Sequence, residues 1–345
     1  MRSAQSPNPQ PSTATVGKIA AAFAAIYVIW GSTYLAIQWA VATIPPFLMA
    51  GARFTIAGAA LYAYARWRGV PRPSLANWRA AGVAGSLLLL GGNGCVCWAL
   101  PRLPSGVASL FIATTPLWIV GFDWLRRGGQ RPSLQSTIGL LVGFVGLLVL
   151  VGRGRAASQD SVDPLAAGAL ILGPISWAAG SIYSRSAPLP RSSILSVGMQ
   201  QLLGGVLMGA AGLALGELPR LDLGSVSLRS WLSFVYLMTV GSIVAFTAYV
   251  WLLQKVSAAK VATYAYVNPV VALLLGWLLN GERLTPRALV AACGILSAVV
   301  VITLDRIRDG GRPAADPPTA PDAVDAVAVV AAVAELQPGS PTKPL

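Results

Sequence analysis

Residues 257–284 read SAAKVATYAYVNPVVALLLGWLLNGERL, a nearly uncharged run long enough to cross a bilayer, with the Asn268-Pro269 pair at its centre. About 20 consecutive apolar residues match the hydrocarbon thickness of a membrane, and a soluble domain rarely contains such a stretch. The plan recurs in the first half as SGVASLFIATTPLWIVGFDWLRRGGQR from Ser105. At one constant offset Pro116 falls under Pro269, Trp98 under Trp251, Trp124 under Trp277 and Gly128 under Gly281. The chain reads as an internal duplication. Interrupted apolar helices at matching places in two halves are the sequence sign of a secondary transporter, whose site lies where the halves meet.

Composition agrees with a membrane location. Hydrophobic residues make up 55% of the 345 residues and charged residues 11%, too little polar surface for a soluble globule of this length. The net charge of +13 does not point to nucleic acid, because Lys and Arg stand singly or in small groups between apolar runs instead of forming one basic face. Cys95, Cys97 and Cys293 all fall in apolar runs and suggest neither a disulfide frame nor a metal site. Histidine is absent, which removes the commonest proton shuttle and metal ligand. No cofactor is expected.

Taken in order, the chain predicts an all-α polytopic membrane protein with ten transmembrane helices as two inverted five-helix repeats. Residues 1–17 form a polar tail and 18–152 the first repeat, with apolar runs near 19–41, 47–65, 79–100, 105–125 and 134–152. An external loop follows over 153–164. The second repeat spans 165–304, with runs near 165–185, 192–215, 230–253, 258–279 and 286–304, and a Pro- and Ala-rich tail closes the chain over 305–345. Lys and Arg concentrate in alternate loops, among them Arg66, Arg68, Arg72 and Arg79, then Arg126, Arg127 and Arg131, then Arg306, Arg308 and Arg312. The opposite loops hold the sparser set of Arg102, Arg153, Arg155, Arg220, Arg229, Arg283 and Arg287. Positive residues stay on the cytoplasmic side, so both termini are expected there. An odd number of crossings per half inverts the second half relative to the first.

Several intramembrane side chains are candidates for the site. Lys260, Tyr264 and Asn268 are spaced four apart and share a helix face. Pro269 frees the carbonyl one turn earlier, near Ala265, for a neighbouring helix or for a solute. Thr115 and Pro116 are the matching pair. Trp30, Tyr34 and Gln38 form another row, and Trp177 sits in a related context, ISWAAGSIY answering VIWGSTY. An indole facing a cavity suits flat or amphipathic organic solutes; in an interfacial belt it would only anchor the helix. Asn93 and Gln200 should face inward, with Gln200 read as an interhelical hydrogen bonder. Arg53 reads either as a side chain snorkelling to the external surface or as a gate or anion contact, a role open to Lys260 as well. Asp123 pairs by spacing with Arg126 and Arg127, and Glu282 reads as a capping or loop-pairing group. GLLVG (139–143) and GVLMG (205–209) permit close helix approach.

The combination WGSTYLAI from Trp30, PPFLMAGARF ending in Arg53 and Phe54, PSGVASLFIATTPL from Pro104, SWAAGSIY from Ser176 and VATYAYVNPVVALLLG followed by GERLT resembles the EamA branch of the drug/metabolite transporter superfamily. The resemblance implies ten helices in two inverted repeats and export of small metabolites, amino-acid-like compounds or drugs across a bacterial inner membrane. Small-molecule substrate and lipid are then the expected partners, with nucleic acid excluded and a homodimer left open. The family often carries a Glu after the fourth helix; Gly129 stands there in this chain, while Glu282 keeps that Glu in the second half. A membrane scaffold or receptor would share the duplication and packing motifs. A membrane-embedded enzyme would need convergent nucleophiles, carboxylates or metal ligands, and neither GxSxG nor HExxH occurs. With no His and no central Asp or Glu, a proton-coupling group is not evident either.

Overall fold

A computed structural model describes residues 13–125, 133–151, 163–255 and 263–308. Its helices are α1 (Thr13–Ala40), α2 (Pro46–Trp67), α3 (Leu75–Gly85), α4 (Gly94–Ala99), α5 (Ser105–Ile112), α6 (Thr115–Leu125), α7 (Leu134–Val151), α8 (Pro164–Ser186), α9 (Ser193–Ala214), α10 (Leu228–Tyr236), α11 (Ala245–Lys255), α12 (Tyr264–Asn280) and α13 (Pro286–Arg308). A π-helical segment, Ser86–Asn93, joins α3 to α4, and a second, Leu237–Val244, joins α10 to α11. No strand occurs among the described residues.

Seven helical stretches are long and apolar enough to cross a membrane, and three shorter apolar helices, Leu134–Val149, Val267–Asn280 and Pro286–Ile302, accompany them. All ten apolar runs carry helix where they are described, although 258–262 of the ninth run and most of the expected 153–164 loop lie outside the described residues. The first helix reaches back to Thr13, before the apolar run begins.

Local chemistry sets the helix limits. The Ser74 hydroxyl accepts from the Asn77 amide while Asn77 Oδ1 accepts from the Ser74 amide, a reciprocal cap that starts α3. Asp163, Ser192 and Ser227 cap α8, α9 and α10 by accepting from Leu165, Leu195 and Ser230 amides. Three glycines stop helices by adopting positive φ: Gly69 at 81° after α2, Gly216 at 71° after α9 and Gly281 at 64° after α12. After Gly69 the Val70 amide folds back onto the Ala65 carbonyl. The amides after the other two, of Glu217 and Glu282, fold back onto the carbonyls of Gly212 and Gly276.

The elements pack through small residues. Helices α2 and α9 touch backbone to backbone: a Cβ on Gly51, Gly58 or Gly205 would stand 2.6, 2.3 or 2.4 Å from the backbone nitrogens of Gly209, Leu202 and Thr55. On α7, Gly139 and Gly143 bring α13 close, through Ile302 and Ala298. Both small-residue motifs in the sequence therefore form helix contacts, as expected where no hydrophobic driving force joins helices in lipid. The outer surface is apolar: Leu141, Val145 and Leu148 form an exposed stripe on α7. Thr114, Thr115, Ser109, Ser242 and Asn268 are buried. That inside-out polarity fits lipid rather than water.

Candidate functional site

The irregular elements converge on a central cavity. The π-helical segments contribute Gly92 and Asn93 from one half and Gly241 from the other. A break at Ala113 and Thr114 separates α5 from α6, and α8 and α12 carry internal prolines at Pro174 and Pro269. π-Turns and prolines release backbone groups from the helical ladder, and they cluster at functional sites. Here they leave a cavity of about 100 Å³ between the helices.

Trp30, Tyr34, Asn93, Thr115, Trp177, Tyr264, Asn268 and Pro269 all line this cavity, so the residues singled out in the sequence meet at one place. Trp30 is at the centre of an aromatic cluster, its ring 5.3 Å from Phe246, 5.0 Å from Tyr249 and 5.0 Å from Tyr264 between centroids. Two carbonyls, of Tyr264 and of Tyr27 on α1, face the Asn268 amide at 3.2 Å, which assigns its nitrogen rather than its oxygen to that side; so oriented it donates to both and ties α12 to the first helix beside the proline. The Thr115 hydroxyl donates to the Ile112 carbonyl at 2.6 Å and closes the α5–α6 break. Among the described residues no cluster of three or more His, Cys, Asp or Glu could hold a metal.

Other expectations came out differently. Pro116 does not face the cavity; it sits in the first turn of α6, just after the break, whereas Pro269 lies within α12. Lys260, the first member of the predicted row on the ninth helix, lies outside the described residues, as do Arg126 and Arg127. Arg53 does not snorkel: α2 turns it inward, where it is only 4% exposed and lines the cavity. Gln200 donates to Ser196 one turn back on its own helix. The interhelical amide is its neighbour Gln201, which donates to the Ser242 carbonyl of the second π-segment at 3.1 Å, because Gln201 faces the bundle interior.

Sequence reasoning read Glu282 as a capping group and missed Glu217, which with it holds one end of the bundle. The buried Glu217 carboxylate accepts from the Phe47 and Leu48 amides at the start of α2, at 3.3 and 2.9 Å. Glu282 repeats this at the start of α5, accepting from Ser105 at 2.8 Å and Gly106 at 3.1 Å. Each carboxylate sits on the positive end of a helix from the other half. Around them the Trp39 indole donates to Asn280 Oδ1 at 2.9 Å, and Asn280 Nδ2 donates to Gln38 at 3.1 Å. The shared signal was Gly-Glu after an apolar run, at 216–217 and 281–282. Thr33, Ser109, Gly173, Pro174, Phe246 and Ala265 also line the cavity; of these, Pro174 inside an apolar run was the readable sign.

Comparison with known proteins places this geometry in a family. The profile of the EamA-like transporter family matches residues 17–152 and again 165–304. The chain is 38% identical to the uncharacterized inner membrane transporter YedA of Escherichia coli (strain K12), over 85% of this chain and 93% of that protein. It is 27% identical to the uncharacterized transporter YvbV of Bacillus subtilis (strain 168), over 84% and 92%. Identity to a probable amino-acid metabolite efflux pump of Salmonella typhimurium is 25%, over 80% and 91%. One solved crystal structure shares the fold at a TM-score of 0.56 and 24% identity, covering 85% of this chain and 98% of the other. The chain belongs to the EamA-like transporter family.

Proposed function

We propose that this protein exports small amphipathic organic solutes from the cytoplasm across a bacterial inner membrane by alternating access. The central cavity is the solute site, bounded by Trp30, Trp177, Tyr264 and Asn268. The observation that carries this reading is that both halves build the cavity from like parts, a π-segment and a proline- or turn-broken helix from each.

Ten crossings in two inverted repeats, with both termini cytoplasmic, complete the proposal, and the packing supports it. Helices α2 and α9, counterparts in the two halves, pack on each other, as do α7 and α13. The contact of α1 with α12 is answered by that of α8 with α6. The sides assigned to the loops are supported as well. Asn77 donates to the Pro188 carbonyl at 2.7 Å, joining two loops expected in the cytoplasm, while Arg287 donates to the Val149 carbonyl at 2.6 Å at the opposite end. The carboxylate-capped end is then external, and its capping bonds must open for release. Transport by relatives, including the probable amino-acid metabolite efflux pump, supports the direction and the solute class.

The test is an untargeted comparison of metabolites inside and outside cells with and without expression, followed by counterflow of the enriched solutes in proteoliposomes. Export predicts solutes enriched outside and exchanged by the purified protein. Unchanged pools together with no exchange would refute it.

A further inference from the structure

Among the described residues the cavity holds one charge, with no opposite charge facing it. Arg53 on α2 is 4% exposed, and its Nε and Nη1 atoms have no hydrogen-bond partner among the described residues. The guanidinium carbon lies 4.1 Å from the centroid of the Phe54 ring, a contact that offers no oxygen to those N–H groups. No Asp or Glu is among the described residues lining the cavity. An unpaired buried charge is costly to keep, and a rigid guanidinium fork matches the two oxygens of a carboxylate.

We infer that Arg53 is the anion subsite of this cavity, and that the solute it takes is an organic monocarboxylate whose apolar or aromatic body rests against Trp30 and Trp177. The inference rests on the solute-site reading above and narrows it. A single guanidinium balances one negative charge. Among the described residues the rest of the lining is aromatic, aliphatic, hydroxyl or amide and supplies no second cation for a doubly charged phosphate. Arg53 and the Trp30 cluster thus present a polar end and an apolar end in one space, which fits a solute with a charged head and a flat or branched body.

The test uses the purified full-length chain and three near-isosteric probes, 3-phenylpropionate, 3-phenylpropanamide and 3-phenylpropylamine, titrated by tryptophan fluorescence and by thermal melting in detergent. The carboxylate is expected to bind about tenfold to a hundredfold more tightly than the amide, the range of a charged hydrogen-bonded pair. Arg53→Met should abolish that preference while leaving amide binding in place, and unliganded Arg53→Met should melt at or above the wild-type temperature. Arg53→Lys, which keeps the charge and loses the fork, should recover part of the preference. Equal binding of acid and amide by the wild type would overturn the assignment. So would a carboxylate preference that survives in Arg53→Met, no response to the carboxylate at millimolar concentration, or a sharply lowered melting temperature in unliganded Arg53→Met. Counterflow separates the two levels. Exchange that ignores the probe's charge sinks the Arg53 subsite and leaves transport standing; charge-selective binding without exchange does the reverse.

Discussion

Replacing Glu217 tests whether the capped end is held as the structure indicates. Its carboxylate is 3% exposed and accepts from two amides at the start of α2. Glu217→Ala strands both donors, at about 1–3 kcal/mol each, and removes an anion from the positive end of a helix, worth about 0.3–1 kcal/mol. Together these terms give an expected loss of about 2–7 kcal/mol. Glu217→Gln keeps one acceptor oxygen without the charge, so about 1–2 kcal/mol is expected from the same terms. Unfolding of each variant by SDS in mixed micelles, followed by loss of helical circular dichroism, gives the order wild type, Gln, Ala. Glu282→Ala should behave similarly, and because its amide partners are Ser105 and Gly106 rather than Phe47 and Leu48, the two losses should add. Glu217→Ala within about 0.5 kcal/mol of wild type would refute the cap. A Gln variant as unstable as Ala would show that the charge of the carboxylate, and not a retained acceptor oxygen, matters there.

Further substitutions probe the cavity and the packing. Trp30→Ala removes the ring shared by Phe246, Tyr249 and Tyr264, each aromatic pair being worth about 0.5–1.5 kcal/mol; counterflow should fall at least about tenfold while the protein remains monodisperse on size exclusion. Asn268→Leu leaves the Tyr264 and Tyr27 carbonyls without the amide donor and should lower stability by about 1–3 kcal/mol, read by the same SDS titration. Gly58→Val forces a side chain into the Leu202 backbone, so α2 and α9 must separate at a cost of about 1–3 kcal/mol or more. Gly121→Val has open space around it and should be close to neutral in the same titration.

Much of the fold was legible because lipid imposes simple rules. Apolar runs separated by short polar loops gave the helices, and the two segments that the family profile matches, 17–152 and 165–304, follow the bounds read from those runs. The cavity was legible through its polar and aromatic residues at four-residue spacing, since Trp30 with Tyr34 and Tyr264 with Asn268 must each share a face. Three features were not. The π-segments at 86–93 and 237–244 shift the helical phase by one residue, which an α-helical spacing rule cannot register, so Gly241 and the interhelical role of Gln201 were missed. Matching prolines did not play matching parts, because a turn precedes Pro116 while Pro269 lies inside a continuous helix. The direction of Arg53 depends on the rotation of α2, fixed by the glycine contacts of Gly51 and Gly58 with α9, and one helix's sequence does not contain that partner.

The central claim is that solute passes through the cavity shared by the two halves, and filling that space tests it most directly. Ala265 lines the cavity from α12, and Ala265→Trp would place an indole where the solute is expected. Counterflow of the exported solute in proteoliposomes should drop to the rate of empty liposomes, with helicity and oligomeric state unchanged. Exchange at the wild-type rate with the cavity plugged would contradict the account.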